Sequence, residues 1–317
     1  MTKTPFLIGL VGARGYTGRE LVRLISAHPE CMLAYAVSRE FAGRPVSDVA
    51  PEHVEGCIFE ALTPDEIAAR RADVVVIAAP DGAAGEYVQA INKGAAHRVI
   101  VDISADYRFD NDWAYGLPEL NRDAIRGAKR IANPGCYATA AQLAVAPLLP
   151  HLDGVPSIFG VSGFSGAGST PNPRNNVDRL KDNLMPYALV GHKHEKEASR
   201  HLGTRVRFTP HVHPAFRGIV VTAHIPIKQT MSRDALIRLY REHYAGERLI
   251  EVRDEAPELK EGTEINGVII GGFAIDDESR HAVVVATEDN LLKGAAVQAM
   301  QNINLALGLE ETQGLTI

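Results

Sequence analysis
The sequence predicts an α/β nucleotide-binding domain of Rossmann type, joined to an α+β catalytic domain with a mostly antiparallel sheet. Three observations carry this prediction. The first third alternates fully apolar strand runs with helical periodicity, and a glycine-punctuated turn follows the first run. After about residue 150 strand-like runs dominate, several of them separated by long connections. A chain of 317 residues suits two domains on the usual scale of roughly 100–200 residues each.

The elements follow in order. Residues 6–11 form a short apolar run ending in glycine and read as the first strand. Residues 17–27 carry Leu21, Leu24 and Ile25 at helical spacing. Residues 32–37 read as the second strand. Residues 74–78, within DVVVIAAP, and residues 99–101 are continuous apolar runs, with a helix predicted over 83–92 between them. Strands with no polar alternation are covered on both faces, which implies a parallel sheet wrapped by helices through right-handed crossovers. Later, residues 157–161, 205–209, 219–225, 268–275 and 282–286 are strand-like. Helices are predicted after Lys193, over 233–243 and over 291–307.

With 45% hydrophobic and 23% charged residues, the chain has the composition of a globular protein with material for two cores. A formal charge of -6 gives no electrostatic reason to expect nucleic acid or an anionic membrane as partner. No apolar run approaches the ~20 residues that span a bilayer. The N-terminal run leads straight into glycine turns rather than a cleavage site, so it reads as a strand and not a signal peptide. Cys31, Cys57 and Cys136 are too few and too scattered for a disulfide framework or a zinc site. A reducing cytoplasm is the expected compartment.

In LVGARGYTGRELVRL, Gly12, Gly15 and Gly18 stand between strand and helix, one residue away from the G-x-G-x-x-G spacing. Glycines there permit a tight turn and close approach of backbone N–H groups to a pyrophosphate. Arg14, Tyr16 and Thr17 of the same turn are candidate cofactor contacts. The bland alternative is a plain glycine turn. At the end of the second strand, where an NAD-binding fold has an acidic residue, the chain has Ser38 and Arg39. A hydroxyl and a guanidinium suit a 2′-phosphate, so the expected cofactor is NADP, with a solvated surface arginine as the competing reading. Ala79 and Pro80 would lie at the same carboxyl edge of the sheet.

Cys136, in IANPGCYATAAQLAVAPLL, follows a Pro-Gly turn and opens an alanine-rich helix read as amphipathic. Unpaired N–H groups and the helix dipole at that position favour thiolate. The alternative is a buried structural cysteine, the reading given to Cys31 and Cys57. Two His-x-His pairs occur, His192/His194 and His211/His213, and Glu195 and Glu197 follow the first. They are candidates for an acid/base group, for metal ligands, or for surface histidines capping a helix. H-E-x-x-H is absent, and no metal is assigned. Arg217 is placed to clamp a carboxylate or phosphate, or to pair on the surface. SGFSGAGS misses the G-x-S-x-G elbow in every frame, which disfavours a serine hydrolase, and its small residues suit close approach to a ligand.

VGARGYTGRELVRL, VDISADYRF, NPGCYATAAQLAVAPLL, SGFSGAG, GHKHEKE, TPHVHPAFRGI and DNLLKGAAVQAMQNIN occur in this order over nearly the whole chain. Together they resemble the N-acetyl-γ-glutamyl-phosphate reductases of the semialdehyde dehydrogenase superfamily. The resemblance implies NADPH-dependent reduction of N-acetylglutamyl phosphate to its semialdehyde, with release of phosphate, in arginine biosynthesis. It implies Cys136 as nucleophile and one or both of His192 and His194 as acid/base. Ser104, Arg108, Asn133, Ser165, Gly166, Ala167 and Arg217 would contact substrate. Ser165 and Gly166 would also meet the cofactor, and Asn290 would approach the nicotinamide. Lys293 and Gly294 would anchor a final helix returning to the nucleotide domain, giving domains of 1–135 with 289–317, and 136–288. A homo-oligomer, dimer or tetramer, is expected. One departure stands out: Ser169, Thr170 and Pro171 precede Arg174, where the family usually has a basic residue directly after SGAG. The following stretch, NPRNNVDRLKDNLMPYALV, is also atypical.

The implied chemistry is attack of the Cys136 thiolate on an acyl phosphate, hydride transfer to the thioester, and histidine-assisted collapse to aldehyde. The rivals are a lysine-pathway reductase acting on aminoadipyl phosphate, aspartate-semialdehyde dehydrogenase, a non-catalytic NADP-binding redox regulator and a metal-dependent hydrolase. ISADYRF and GHKHEKE argue against aspartate-semialdehyde dehydrogenase.

Overall fold
A computed structural model describes residues 4–51, 56–276, 278 and 280–317. In chain order the elements begin β1 (Phe6–Val11), α1 (Tyr16–Ala27), β2 (Cys31–Val37), β3 (Phe59–Glu60), α2 (Pro64–Ala69), β4 (Val74–Ile77) and α3 (Ala84–Ala95). They continue β5 (Val99–Asp102), β6 (Ala114–Tyr115), α4 (Pro118–Ile125), β7 (Arg130–Ala132), α5 (Cys136–Val145) and β8 (Ser157–Gly163). Then come α6 (Val177–Leu180), β9 (Met185–Pro186), α7 (Lys193–His201), β10 (Arg207–His213), β11 (Ile219–Pro226) and α8 (Arg233–His243). The last are β12 (Ile250–Val252), β13 (Val268–Asp276), β14 (His281–Glu288) and α9 (Val297–Leu307).

The chain divides into two compact units. One comprises residues 1–134 and 295–316, the other residues 135–294. The return point is 294/295 and not 288/289 as the sequence suggests. Asp289 and Asn290 explain the difference, because they bond to Arg217, Gly218 and Ser165 of the second unit.

The first unit is a seven-stranded sheet of order β3-β2-β1-β4-β5-β7-β6, with every pair parallel. Val74–Ile77 and Val99–Asp102 are buried along their whole length, as apolar strands covered on both faces must be. Strand order reverses between β1 and β4. At this switch point Gly12 has φ +78°, and a Cβ on it would sit 2.2 Å from the Ala78 carbonyl oxygen. Gly18 lies equally close to Gly12 and Ala13 backbone, with a Cβ only 2.5 Å from the Gly12 oxygen. Those two glycines let α1 and β4 close on the turn, while Gly15 serves as the N-cap of α1. α9 packs into this unit through buried amides: Gln298 and Asn302 donate to the Gly116 carbonyl.

The second unit is a mixed seven-stranded sheet of order β12-β13-β14-β11-β8-β10-β9. β8/β10 and β12/β13 run parallel and the other pairs antiparallel. α5 differs from the amphipathic helix expected from sequence, because Tyr137–Val145 are buried without exception. Its alanines keep it slim enough to be packed all round by β11, β14 and α7. The hydroxyls of Tyr240 on α8 and of Tyr244, its C-cap, donate to the Ala144 and Leu143 carbonyls at 2.5 Å, satisfying oxygens near the C-terminal end of α5. The predicted helix over 291–307 is a π-helical turn, Leu292–Ala296, followed by α9.

Candidate active site
Cys136 is the first helical residue of α5. The N-cap, Gly135, supplies no side-chain cap, and no acidic residue lies in the first turn. The first N–H groups and the positive end of the dipole are therefore presented around the thiol. Gly294 packs directly behind it, since a Cβ there would lie 2.6 Å from that of Cys136. Any side chain at Gly294 would collide with the Cβ of Cys136.

α7 brings the polar groups. His192 is its N-cap and accepts from the His194 N–H through Nδ1 at 3.2 Å. Both rings are buried, 4.8 Å apart, with the Tyr137 ring 6.5 Å from His192 and 6.0 Å from His194. The capping role considered from sequence thus holds for His192, though inside the protein and not on its surface. Burial, followed by the charges of Lys193 and Arg174, lowers the pKa of His192 to about 4. It is neutral at pH 7, and Nδ1 is already occupied as an acceptor.

Glu195, next to His194 in sequence, is engaged with backbone N–H groups. Its carboxylate accepts from Gly191 and Phe208 N–H groups, fastening α7 to β10. The carboxylate that reaches the cysteine helix is Glu197, 1% exposed, whose Oε1 accepts from the Gly135 N–H at 2.8 Å. His194 and Glu197 stand three residues apart and so share a face of α7. That face meets the start of α5. Sequence shows Glu197 only as part of a polar run, because its partner lies 62 residues away.

Ser165, Asn290 and Arg217 converge through β14 and the turn that follows it. Asn290 donates to the Ser165 hydroxyl and accepts from the Gly218 N–H, both at 2.9 Å. Arg217 pairs with the fully buried Asp289 at 3.3 Å. Burial raises the Asp289 pKa, opposed by N–H donation from Glu264 and by the charge of Arg217. Gly166 and Ala167 continue the short turn that carries Ser165. A Cβ on Gly166 would come within 3.1 Å of the Ser162 hydroxyl.

The atypical segment after SGAG is a knot of asparagines. Asn172 and Asn175 donate to the carbonyls of Ala167, Gly168 and Thr170, and Arg174 N–H donates to Asn172. The knot holds Arg174 over the Tyr187 ring at 5.1 Å, and Tyr187 in turn packs on His192 at 5.4 Å. The displaced arginine still arrives beside the histidines. His211 and His213 do not: they lie on the opposite sheet face from buried Phe208, where His211 packs on exposed Phe159 at 4.3 Å.

In the first unit, α1 starts on Gly15 with no side-chain cap and no acidic residue in its first turn. Tyr16 and Thr17 open the helix, and Arg14 pairs with Glu40 at 2.8 Å. Ser38 is buried, its hydroxyl accepting from the Phe41 N–H, while Arg39 is exposed at the same strand end. Ala79 and Pro80 lie in the loop after β4, which meets Gly12 through Ala78 and the Ala79 nitrogen. This cradle and its cations fit a dinucleotide carrying a 2′-phosphate.

The other first-unit candidates face inward. Ser104 donates through its hydroxyl to Asp102 at 2.7 Å. Arg108 donates to the Asn133 and Ile103 carbonyls. The Asn133 amide donates to Ala295 and accepts from Asn302, so both of its ends are engaged in packing α9.

A family model described as the semialdehyde dehydrogenase NAD-binding domain matches residues 7–128, and the dimerisation-domain model of that family matches residues 136–290. N-acetyl-γ-glutamyl-phosphate reductase of Stenotrophomonas maltophilia is 52% identical over 98% of both chains. The enzyme of that name from Xanthomonas axonopodis is 50% identical over 99% of this chain and 100% of its own. The chain belongs to the N-acetyl-γ-glutamyl-phosphate reductase family. Among solved structures, aspartate semialdehyde dehydrogenase II of Vibrio cholerae matches with a TM-score of 0.78 at 17% identity, over 96% of this chain and 99% of that one. At that identity the likeness is one of fold.

Proposed function
We propose that this protein reduces N-acetylglutamyl 5-phosphate to N-acetylglutamate 5-semialdehyde with NADPH, releasing phosphate, as a step of arginine biosynthesis. The observation that carries this reading is the placement of Cys136 at the start of a buried helix whose N-cap N–H is held by Glu197, on the same face of α7 as His194. Identity of 50–52% over nearly whole chains to reductases of that name supports the substrate.

In this reading the Cys136 thiolate attacks the acyl carbon, and the first-turn N–H groups of α5 receive the oxyanion. Collapse breaks the bond to phosphate and leaves a thioester on Cys136. NADPH supplies the hydride when bound, with Gly12, Gly15, Gly18, Ser38 and Arg39 as the residues that would hold it. The thiohemiacetal then expels the sulfur, and His194 carries the proton that the reductive direction consumes. His192 orients: it caps α7 and is neutral near pH 7, so it is not an imidazolium acid there. Arg174 and Arg217 bind the substrate's anionic groups, with Ser165 and Asn290 lining the same side.

NADP reduction with N-acetylglutamate semialdehyde and phosphate tests the assignment beside the aspartate and aminoadipate analogues. Preference for either analogue overturns the substrate. The further reading is a homodimer formed through the open face of the second sheet. Phe159, Val161, Val220, Val283 and Val285 leave part of their apolar surface exposed there. Val220→Arg should then yield monomers by analytical ultracentrifugation. The compartment inferred is the reducing cytoplasm, which keeps the Cys136 thiol available. Among the described residues, no helix is long and apolar enough to cross a membrane.

A further inference from the structure
The β4–α3 loop forms one wall of the switch-point crevice, with Ala78 against Gly12. Two exposed carboxylates tie it to the β5–β6 loop in both directions. Asp81 accepts from the Ala105 N–H at 3.0 Å. Asp106 accepts from the Gly82 N–H at 2.6 Å and the Ala84 N–H at 3.1 Å. Behind Asp106 the chain is held by its own series of bonds. The Asp106 N–H donates to the Ser104 hydroxyl, which donates to Asp102, fully buried at the end of β5.

We propose that Asp81 and Asp106 are positioning residues: a reciprocal latch that sets the β4–α3 loop for the dinucleotide and closes the start of α3 to its phosphates. Two helices begin at this edge of the sheet, and they are finished differently. α1 opens on Gly15 without a side-chain cap, whereas α3, whose N-cap Ala83 has none either, receives the Asp106 carboxylate on Ala84. An anion has a favourable terminus at α1 and meets a fixed negative charge at α3. The latch thereby leaves a single register for the pyrophosphate. ISADYRF acquires a role in this arrangement through the loop it grips, not through contact with the acyl phosphate.

The inference rests on the dinucleotide reading of the first unit. Its test is NADPH affinity and steady-state kinetics of Asp106→Ala, Asp106→Asn and Asp81→Ala, with thermal melts as a control for folding. Asp106→Ala should raise the KM and Kd for NADPH about ten-fold, the scale of one charged hydrogen bond. The kcat at saturating NADPH and the KM for acyl phosphate should stay within about two-fold of wild type. Asp106→Asn keeps one acceptor oxygen and should recover part of the loss. Should Asp106→Ala fail to fold, Asp81→Ala removes a single bond of the latch and carries the same expectation. Equal losses in kcat and both KM values, or unaltered NADPH affinity in folded variants, would overturn the latch. Wild-type protein that binds no NADPH would overturn the dinucleotide reading itself, which separates the two failures.

Discussion

The starts of α1 and α5 use one physical device for two purposes. Each helix opens on a glycine N-cap, with no side-chain cap and no acidic residue in its first turn. Each therefore presents first-turn N–H groups at the positive end of its dipole, and at α5 the N-cap N–H itself goes to Glu197. α1 begins Tyr-Thr-Gly, and its glycines bring backbone close to backbone, so what it presents is the terminus itself. α5 places Cys136 first and is buried along its length. It is fixed by Glu197 at Gly135 and by the Tyr137 hydroxyl on the His211 carbonyl. A helix terminus alone attracts negative charge. What makes one a nucleophile's seat is the first side chain and the rigidity behind it.

The sharpest way to break this comparison is to remove that side chain. Cys136→Ser should lower turnover by roughly four orders of magnitude or more while NADPH binding is unchanged, because only the α5 terminus loses its function. Iodoacetamide should label Cys136 well before Cys31, which is buried and pushed up to about 12, and Cys57, which burial also raises. A serine variant with near-normal rate would place the chemistry elsewhere.

The histidines give the next effect. His194→Asn should cost about 10²–10⁴ in kcat and remove one limb of the pH profile. His192→Asn should mainly raise the KM for acyl phosphate, since His192 is a cap and lies beside Tyr187 and Arg174. The reverse pattern would reassign the proton donor. At the α1 end, Arg39→Ala should weaken NADPH by about 1.5–3 kcal/mol and NADH far less, the scale of a hydrogen bond to a charged group. Equal losses for both cofactors would make Arg39 a surface charge.

The α1 region was legible in the sequence because its signals are local: an apolar run, three glycines and a periodic helix within 22 residues, 6–27. Cys136 was legible for the same reason, since Pro-Gly before it and alanines after it fix a helix start. What surrounds Cys136 was not. Glu197 meets Gly135 across 62 residues, and Gly294 packs against the Cys136 Cβ from the far end of the chain. The burial of α5 depends on sheet and helix partners that a one-helix pattern cannot display. ISADYRF stands out as a motif, but the direction of its side chains is tertiary information: Ser104 turns to Asp102 and Arg108 to main-chain carbonyls. Strands of two or three residues such as β3, β6, β7 and β9 are too short for any period to register.

The smallest expected effects concern stability, where the two regions have opposite signs. Asp102, beneath the first-unit latch, is raised by burial from 3.8 to about 6, against the bonds from Ser104. Between those values the folded protein holds a proton that the unfolded chain has released, so its contribution to stability falls as pH rises through that window. His192, beside the cysteine helix, is lowered by burial from 6.5 to about 4. There the unfolded chain holds the extra proton, so stability rises with pH over nearly the same interval. The two slopes offset one another, and the wild-type melting temperature should change little between pH 4 and 6 on their account. Asp102→Asn should unmask the histidine and make stability climb with pH. His192→Asn should unmask the aspartate and make it decline. Each difference is bounded at about 3 kcal/mol by the size of the shift. Thermal melts of the three proteins across that window measure it, and parallel curves would show that neither group is held away from its ordinary titration.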